Sequence, residues 1–122
     1  MDIRQLERDT RLILLPAEPQ LRREIAGVRR QLERMRGSHL IVDFSRVEII
    51  TSPSIGDLLL LQKVVLDRGG RMICCNLRFV TKCILRTVGL DLHFEFAEDK
   101  PKALQTLHQL AEAPAGAQLV SS

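Results

Sequence analysis

Three hydroxyl side chains, Thr51, Ser52 and Ser54, lie where an apolar, strand-like run gives way to a helix-like pattern. A helix N-terminus presents unpaired backbone N–H groups and a partial positive charge, so it stabilises a phosphate or carboxylate placed there. The chemistry expected of this corner is therefore anion capture. We expect the amides of residues 52–57 to stand free at an exposed rim and to offer a docking edge.

The same residues can instead serve only to cap the helix. In one register Ser52 is the N-cap and Pro53 takes the first helical position, where its missing N–H costs nothing. In a second register Ser54 is the N-cap and Asp57, three residues later, completes a capping box. Both registers place the start of the helix at the same corner, within about two residues.

Metal and catalytic chemistry are not expected. The chain has three cysteines, Cys74, Cys75 and Cys83; adjacent residues on a strand face opposite ways, so we expect reduced, mostly buried thiols rather than disulfides. A zinc site would need His93 as a fourth ligand and lacks Cys-x-x-Cys spacing. His39, His93 and His108 form no recognisable constellation with Ser54, and no glycine-rich nucleotide motif occurs. The sequence predicts neither an enzyme nor a cofactor.

Size and composition predict one cytoplasmic domain. With 122 residues and 45% hydrophobic content, the chain can bury a core without disulfides or metals. No apolar run approaches the roughly 18 residues of a membrane span, and the N-terminus does not resemble a secretion signal. We assign residues 1–113 to the domain and residues 114–122, which lack a pattern, to a loosely held tail.

Positive charge is concentrated in one predicted helix. The net charge is only +3, but six arginines fall between residues 20 and 36, at positions 22, 23, 29, 30, 34 and 36. A nucleic-acid interface would favour aromatic stacking platforms, and the chain has no Trp, no Tyr and four Phe. We therefore expect a solvated face or a surface for an acidic protein partner, and no nucleic acid.

The apolar pattern predicts strands alternating with helices. The predicted strands are residues 2–7, 10–15, 39–44, 71–76 and 94–96, with the first two forming a hairpin and residues 39–44 at the centre of the sheet.

Each of the four predicted helices has an apolar stripe or a recognisable end. The first helix ends near residues 37–38, and its stripe is Leu21, Ile25, Val28, Leu32 and Met35. The second ends at residues 68–70, and its stripe is Ile55, Leu58, Leu59, Gln62 and Val65.

The third helix spans residues 79–88 and ends at Gly89, and its stripe is Val80, Ile84, Leu85 and Val88. The last helix is capped by Asp99, and its stripe is Ala103, Leu104, Leu107 and Leu110.

These elements predict an α/β fold: a mostly parallel mixed sheet of about five strands with an N-terminal hairpin and four helices. In such sheets, binding sites gather at the carboxyl ends of the strands, which is where the corner at residues 51–54 falls.

The order of elements resembles the STAS domain, a fold named for sulfate transporters and anti-sigma factor antagonists, over roughly residues 2–110. The resemblance is carried by four blocks in the right order, at residues 40–47, 51–58, 68–71 and 85–90. In that family the second block usually reads Asp-Ser-Ser-Gly-Leu-Gly, and a partner kinase, itself an anti-sigma factor, phosphorylates the second serine. Those six places are taken here by Thr51, Ser52, Pro53, Ser54, Ile55 and Gly56.

Pro53 has no hydroxyl, so the family's phosphoserine does not carry over to that position. The resemblance leaves three alternatives: phosphorylation relocated to Ser52, Ser54 or Thr51; partner binding without a switch, which we favour; or a scaffold role in a larger signalling assembly. A phosphate added at Ser54 would still act as a switch, because it would stabilise the helix start and repel an acidic partner.

The resemblance implies a non-catalytic regulatory domain that binds a kinase-type anti-sigma factor or a related signalling protein and acts by occupancy. The candidate partner-binding residues are Thr51, Ser52, Pro53, Ser54, Ile55 and Asp57, with Ser52 and Ser54 as candidate phosphorylation sites. The alternative is an accessory subunit of a membrane complex that transports lipids or anions, without membrane insertion, in which the basic helix faces an acidic ATPase surface.

Overall fold

Five strands and four helices alternate along the chain in a computed structural model, which describes residues 3–7, 9–34 and 39–112. The elements are β1 (Arg4–Glu7), β2 (Thr10–Leu14), α1 (Leu21–Leu32), β3 (His39–Asp43), α2 (Ser52–Asp67), β4 (Met72–Cys75), α3 (Phe79–Thr87), β5 (Glu95–Ala97) and α4 (Lys100–Glu112). The predicted fold class is confirmed, and the element bounds differ by only a few residues.

The strands form one mixed sheet in the order β1-β2-β3-β4-β5. The β1–β2 hairpin is antiparallel, and every later neighbour is parallel. β3 lies at the centre, as its apolar sequence predicts, and its Leu40 and Val42 pair with Met72 and Cys74 of β4. Parallel pairing places the carboxyl ends of β2, β3 and β4 at one edge of the sheet.

The sheet has a core on each face. Buried residues of α1, α2 and α3 pack with inward residues such as Val42 and Cys74 on one face, whereas α4 packs Ala103 and Leu107 against Ile41 and Cys75 on the other. The adjacent thiols Cys74 and Cys75 therefore face opposite ways, as strand geometry requires.

Two helices differ from their predicted patterns. The α-helix of α1 ends at Leu32, before the predicted end; Met35 and residues 37–38 lie outside the described residues, as does the predicted tail at 114–122. In α3 half of the predicted stripe is confirmed: Leu85 is buried and Ile84 packs against the core. Val80 and Val88 are exposed instead, and Thr81, which was not predicted, is buried. Thr81 is buried because it lies one turn before Leu85 on the same side of the helix.

Among the described residues, no helix combines the length and apolar character that a membrane crossing demands.

Candidate functional site

The corner between β3 and α2 lies at the carboxyl edge of the sheet, as predicted. After Asp43, whose carboxylate accepts a hydrogen bond from the Ser45 amide at 2.8 Å, the chain runs along this edge to Thr51. Val47 and Ile50 are buried and anchor the segment. Arg78, at the start of α3, donates to the Ser45 carbonyl at 3.3 Å, so the beginnings of α2 and α3 lie at the same edge.

Thr51 is the N-cap of α2. Its backbone is extended, with φ −94° and ψ 160°, and its hydroxyl oxygen accepts from the amide of Ser54 at 3.4 Å. Both predicted cap registers are therefore wrong: Ser52 and Pro53 are the first two helical residues, and Ser54 is the third. Pro53 is tolerated there because amides of the first turn have no partner inside the helix.

The carboxylate of Glu18 occupies the start of α2. One of its oxygens, Oε2, accepts from the Ser54 hydroxyl at 2.8 Å, from the Thr51 hydroxyl at 3.0 Å and from the Thr51 amide at 3.1 Å. A helix N-terminus favours a negative charge, and here the protein supplies one from the loop between β2 and α1. The expectation that the amides of residues 52–57 stand free is wrong for Ser54 and Ile55, because the Ser54 amide donates to the Thr51 hydroxyl and the Ile55 amide to the Thr51 carbonyl.

Asp57 pairs with a helix, not with the cap. Its Oδ2 lies 2.7 Å from Nε of Arg22 on α1, and the hydrogen bond and charge of Asp57 raise the pKa of the Arg22 guanidinium. The capping box predicted between Ser54 and Asp57 is therefore absent. This ion pair links the first turn of α1 to the second turn of α2.

The candidate residues divide into an exposed and a buried group. Thr51, Ser52 and Pro53 are exposed, whereas Ser54 is 0% exposed and Ile55 belongs to the core. The side chains of Ser54 and Ile55 thus fix the helix start, while the exposed three form its surface.

Two residues of this corner were not among the predicted site residues. Ile49 is an apolar side chain with 65% exposure beside the helix start, although its sequence neighbours suggested a buried strand. Glu18 is separated from Ser54 by 36 positions, so no local motif contains both. A signal for Glu18 existed: an acidic residue after β2 must lie near the residues that follow β3, because parallel strands end at the same edge.

The cysteines and His39 were the other side chains considered for metal or catalytic chemistry. Cys74 and Cys75 are buried, Cys83 is exposed, and all three are free; burial raises the pKa of Cys75 to about 12 and raises that of Cys74 as well. His39 Nδ1 accepts from the Arg71 amide at 3.0 Å, joining β3 to β4. Within residues 3–7, 9–34 and 39–112, no group of three or more His, Cys, Asp or Glu residues is arranged to hold a metal ion.

Solved structures with the same fold are STAS proteins. An anti-sigma-factor antagonist (STAS) domain protein from Planctomyces limnophilus has a TM-score of 0.76 at 18% identity, over 88% of this chain and 99% of that one. A chain of the stressosome, described as a signal integration and transduction hub, has a TM-score of 0.75 at 20% identity, over 92% of this chain and 100% of that one.

The anti-sigma factor antagonist SpoIIAA, in its unphosphorylated form, has a TM-score of 0.66 at 15% identity, over 92% of this chain and 98% of that one. No protein-family model and no curated protein matches the sequence. At these identities the likeness concerns the fold, and the chain has the fold of STAS domains.

Proposed function

We propose that this chain is a non-catalytic regulatory domain that binds a signalling protein, a kinase-type anti-sigma factor or a relative of one, at the corner between β3 and α2. The observation that carries the proposal is that Ser52 and Pro53 are exposed on the first turn of α2, at the place where the STAS resemblance puts the partner-recognition serine. Its mode of action is occupancy: a partner held here is withheld from another client in proportion to affinity and concentration.

The proposed contact surface combines apolar and small residues. Ile49 and Pro53 offer exposed apolar groups, Thr51 and Ser52 offer hydroxyls, and the exposed Gly56 lets another backbone approach closely. Isolated exposed apolar residues are common on any protein, but here two of them border the corner at which STAS-type recognition is proposed.

We further propose that binding at this corner is constitutive and not switched by phosphate. Pro53 has no hydroxyl, and the buried hydroxyl of Ser54 already donates to Glu18 at 2.8 Å. A phosphate on Ser54 would have to displace Glu18 and would meet its negative charge. Ser52 is the serine of the pair that a kinase can reach without that displacement.

A capture experiment with matched variants tests the proposal. The purified domain is immobilised as wild type, as Ile49→Asp and as Leu66→Asp, which changes another exposed apolar residue, near the other end of α2. We expect a signalling protein to be captured by wild type and Leu66→Asp and to be lost from Ile49→Asp. Capture that is equal for all three would refute a partner site at this corner.

Charge reversal separates this proposal from the transport alternative. Capture of a membrane ATPase that is abolished by Arg29→Glu with Arg30→Glu, and unaffected by Ile49→Asp, would establish the accessory-subunit role instead.

A phosphate-affinity gel after incubation with the captured kinase tests the absence of a switch. A band shift that disappears in Ser52→Ala would show that the domain is switched after all.

A further inference from the structure

Helix α3 exposes an apolar face of which the core uses only the half-buried Ile84. Phe79 is 79% exposed, Val80 54% and Val88 52%, although the helix packs Thr81 and Leu85 inward. A shallow depression of about 280 Å³ runs along this face; it is lined by Phe79, Val80, Cys83, Ile84, Thr87 and Val88.

All residues lining the depression belong to this one helix and its C-cap, so its shape follows from helix geometry. Side chains four residues apart form rows along a helix, and the groove between two neighbouring rows accepts a ridge of side chains from another helix. One row here is Phe79, Cys83 and Thr87, and the other is Val80, Ile84 and Val88. The groove between them therefore matches a helical ridge.

A basic row borders the groove. Lys82 and Arg86 are exposed four residues apart and lie next to the Phe79 row, because residues three apart are also neighbours on a helix. Arg78 precedes them as the N-cap residue, and its guanidinium donates to the Ser45 carbonyl at 3.3 Å. Residues 76–90 contain no Asp or Glu. The segment thus has three positive charges against none negative; Asp91, just beyond it, lines a second depression together with Lys82 and Arg86.

We propose that α3 is a docking surface for an acidic amphipathic helix of a partner protein. The partner helix places an apolar ridge, with residues spaced by four, into the groove and a flanking row of Asp or Glu against Lys82 and Arg86. The apolar contact supplies affinity and the charges supply orientation and association rate. The inference does not depend on the function proposed for the corner at residues 49–57, since it rests on another helix.

The charges select this occupant over two others. A second copy of the chain would bring basic rows together, because α3 has no acidic residue to meet them. An anionic membrane would satisfy the charges, but a bilayer surface does not supply the ridge that fits a groove between two rows of side chains.

A designed peptide is the probe. It is a fluorescein-labelled helix of about 18 residues, or five turns, with Leu at every fourth position and Glu in the neighbouring row; its control carries Lys in place of each Glu. Fluorescence anisotropy is measured with wild type, Val80→Asp, Lys82→Glu and two matched controls. These are Leu92→Asp, an exposed apolar residue outside α3, and Lys63→Glu, an exposed lysine on α2.

We expect the acidic peptide to bind saturably to wild type. Val80→Asp and Lys82→Glu should each weaken this binding about tenfold or more, and added salt should weaken it as well. Both matched controls and Ile49→Asp should bind the peptide as wild type does. Circular dichroism melts confirm that each variant is folded.

Four results would overturn the proposal: no binding of the acidic peptide, equal binding of the lysine peptide, a dimer in sedimentation that Val80→Asp abolishes, or flotation with phosphatidylglycerol vesicles in the absence of peptide binding. Loss of capture at the corner with intact peptide binding at α3 would count only against the proposed function.

Discussion

The carboxylate of Glu18 lies 2.8 Å from the hydroxyl of Ser54 and joins the loop before α1 to the first turn of α2. The same oxygen accepts from the hydroxyl and the amide of Thr51. The Glu18 carboxylate therefore occupies the start of α2, where the helix N-terminus would otherwise stabilise a bound phosphate or a partner's carboxylate. These hydrogen bonds fix the loop before α1 to the start of α2.

Replacing Glu18 by Gln should destabilise the fold. The change removes the charge from three hydrogen bonds, and the buried Ser54 hydroxyl loses its ionised acceptor, so we expect a loss of about 1–2 kcal/mol in the free energy of unfolding. Urea denaturation at neutral pH measures it. Glu48→Gln changes an exposed carboxylate in the segment leading to α2 and should leave the value unchanged. Equal stability of Glu18→Gln and wild type would show that the contact contributes nothing.

The identity of the N-cap can be tested by two alanines. Thr51→Ala removes the oxygen that accepts from the Ser54 amide and should cost about 1–2 kcal/mol of unfolding free energy. Ser52→Ala changes the first helical residue and should stay within about 0.5 kcal/mol of wild type. The reverse order of effects in urea denaturation would restore Ser52 as the cap.

The fold followed from sequence because its signals are local. Short stretches of sequence predict its elements: the buried run at residues 39–44 predicts a strand, the stripe of α1 a helix, and the glycines after α2 and α3 the helix ends. Parallel pairing of the strands then predicts the edge of the sheet on which the corner lies. The cap register did not follow, because Thr51, Ser52 and Ser54 are all residue types that cap helices. Glu18 did not follow, because it reaches Ser54 from 36 positions away. The face of α3 was predicted only in part: Ile84 and Leu85 pack in the core as expected, but periodicity does not say whether Val80 or its neighbour Thr81 joins them.

The three thiols should differ sharply in reactivity. Cys83 is exposed, whereas Cys74 and Cys75 are buried, and burial raises the pKa of Cys75 to about 12. Because the thiolate is the reactive form, a disulfide reagent at pH 8 should label one thiol rapidly in the folded protein and all three in denaturant. Cys83→Ser should abolish the rapid phase. Rapid labelling that persists in this variant would mean that the buried strand opens readily.

The raised thiol pKa also predicts a loss of stability at high pH. Below the ordinary cysteine pKa of about 8.5, both folded and unfolded thiols are protonated, and their contribution is fully present. Above it the unfolded thiols ionise while the folded Cys74 and Cys75 stay protonated, so stability falls between about pH 9 and pH 12. Urea midpoints under reducing conditions measure the slope. Cys74→Ala should flatten it, and Cys83→Ala should not.

Gly56 offers a test that separates folding from partner binding. It lies inside α2 with an ordinary helical backbone, and a Cβ built there meets nothing within 4 Å. Gly56→Ala should therefore stabilise the protein by about 0.5–1 kcal/mol, because alanine restricts the unfolded chain and favours helix. Gly69→Ala should act in the opposite direction by about 1 kcal/mol, since its φ of +81° is strained for a residue with a side chain.

If a partner backbone approaches the exposed Gly56, the added methyl group should weaken partner capture even though the domain itself is more stable. That combination of a higher urea midpoint and lower capture is not produced by general damage to the fold, which would lower both. Gly27→Ala is the matched control: it adds a methyl group to α1, where a Cβ again meets nothing within 4 Å. It should raise stability and leave capture unchanged. Undiminished capture by Gly56→Ala would remove this residue from the proposed contact surface.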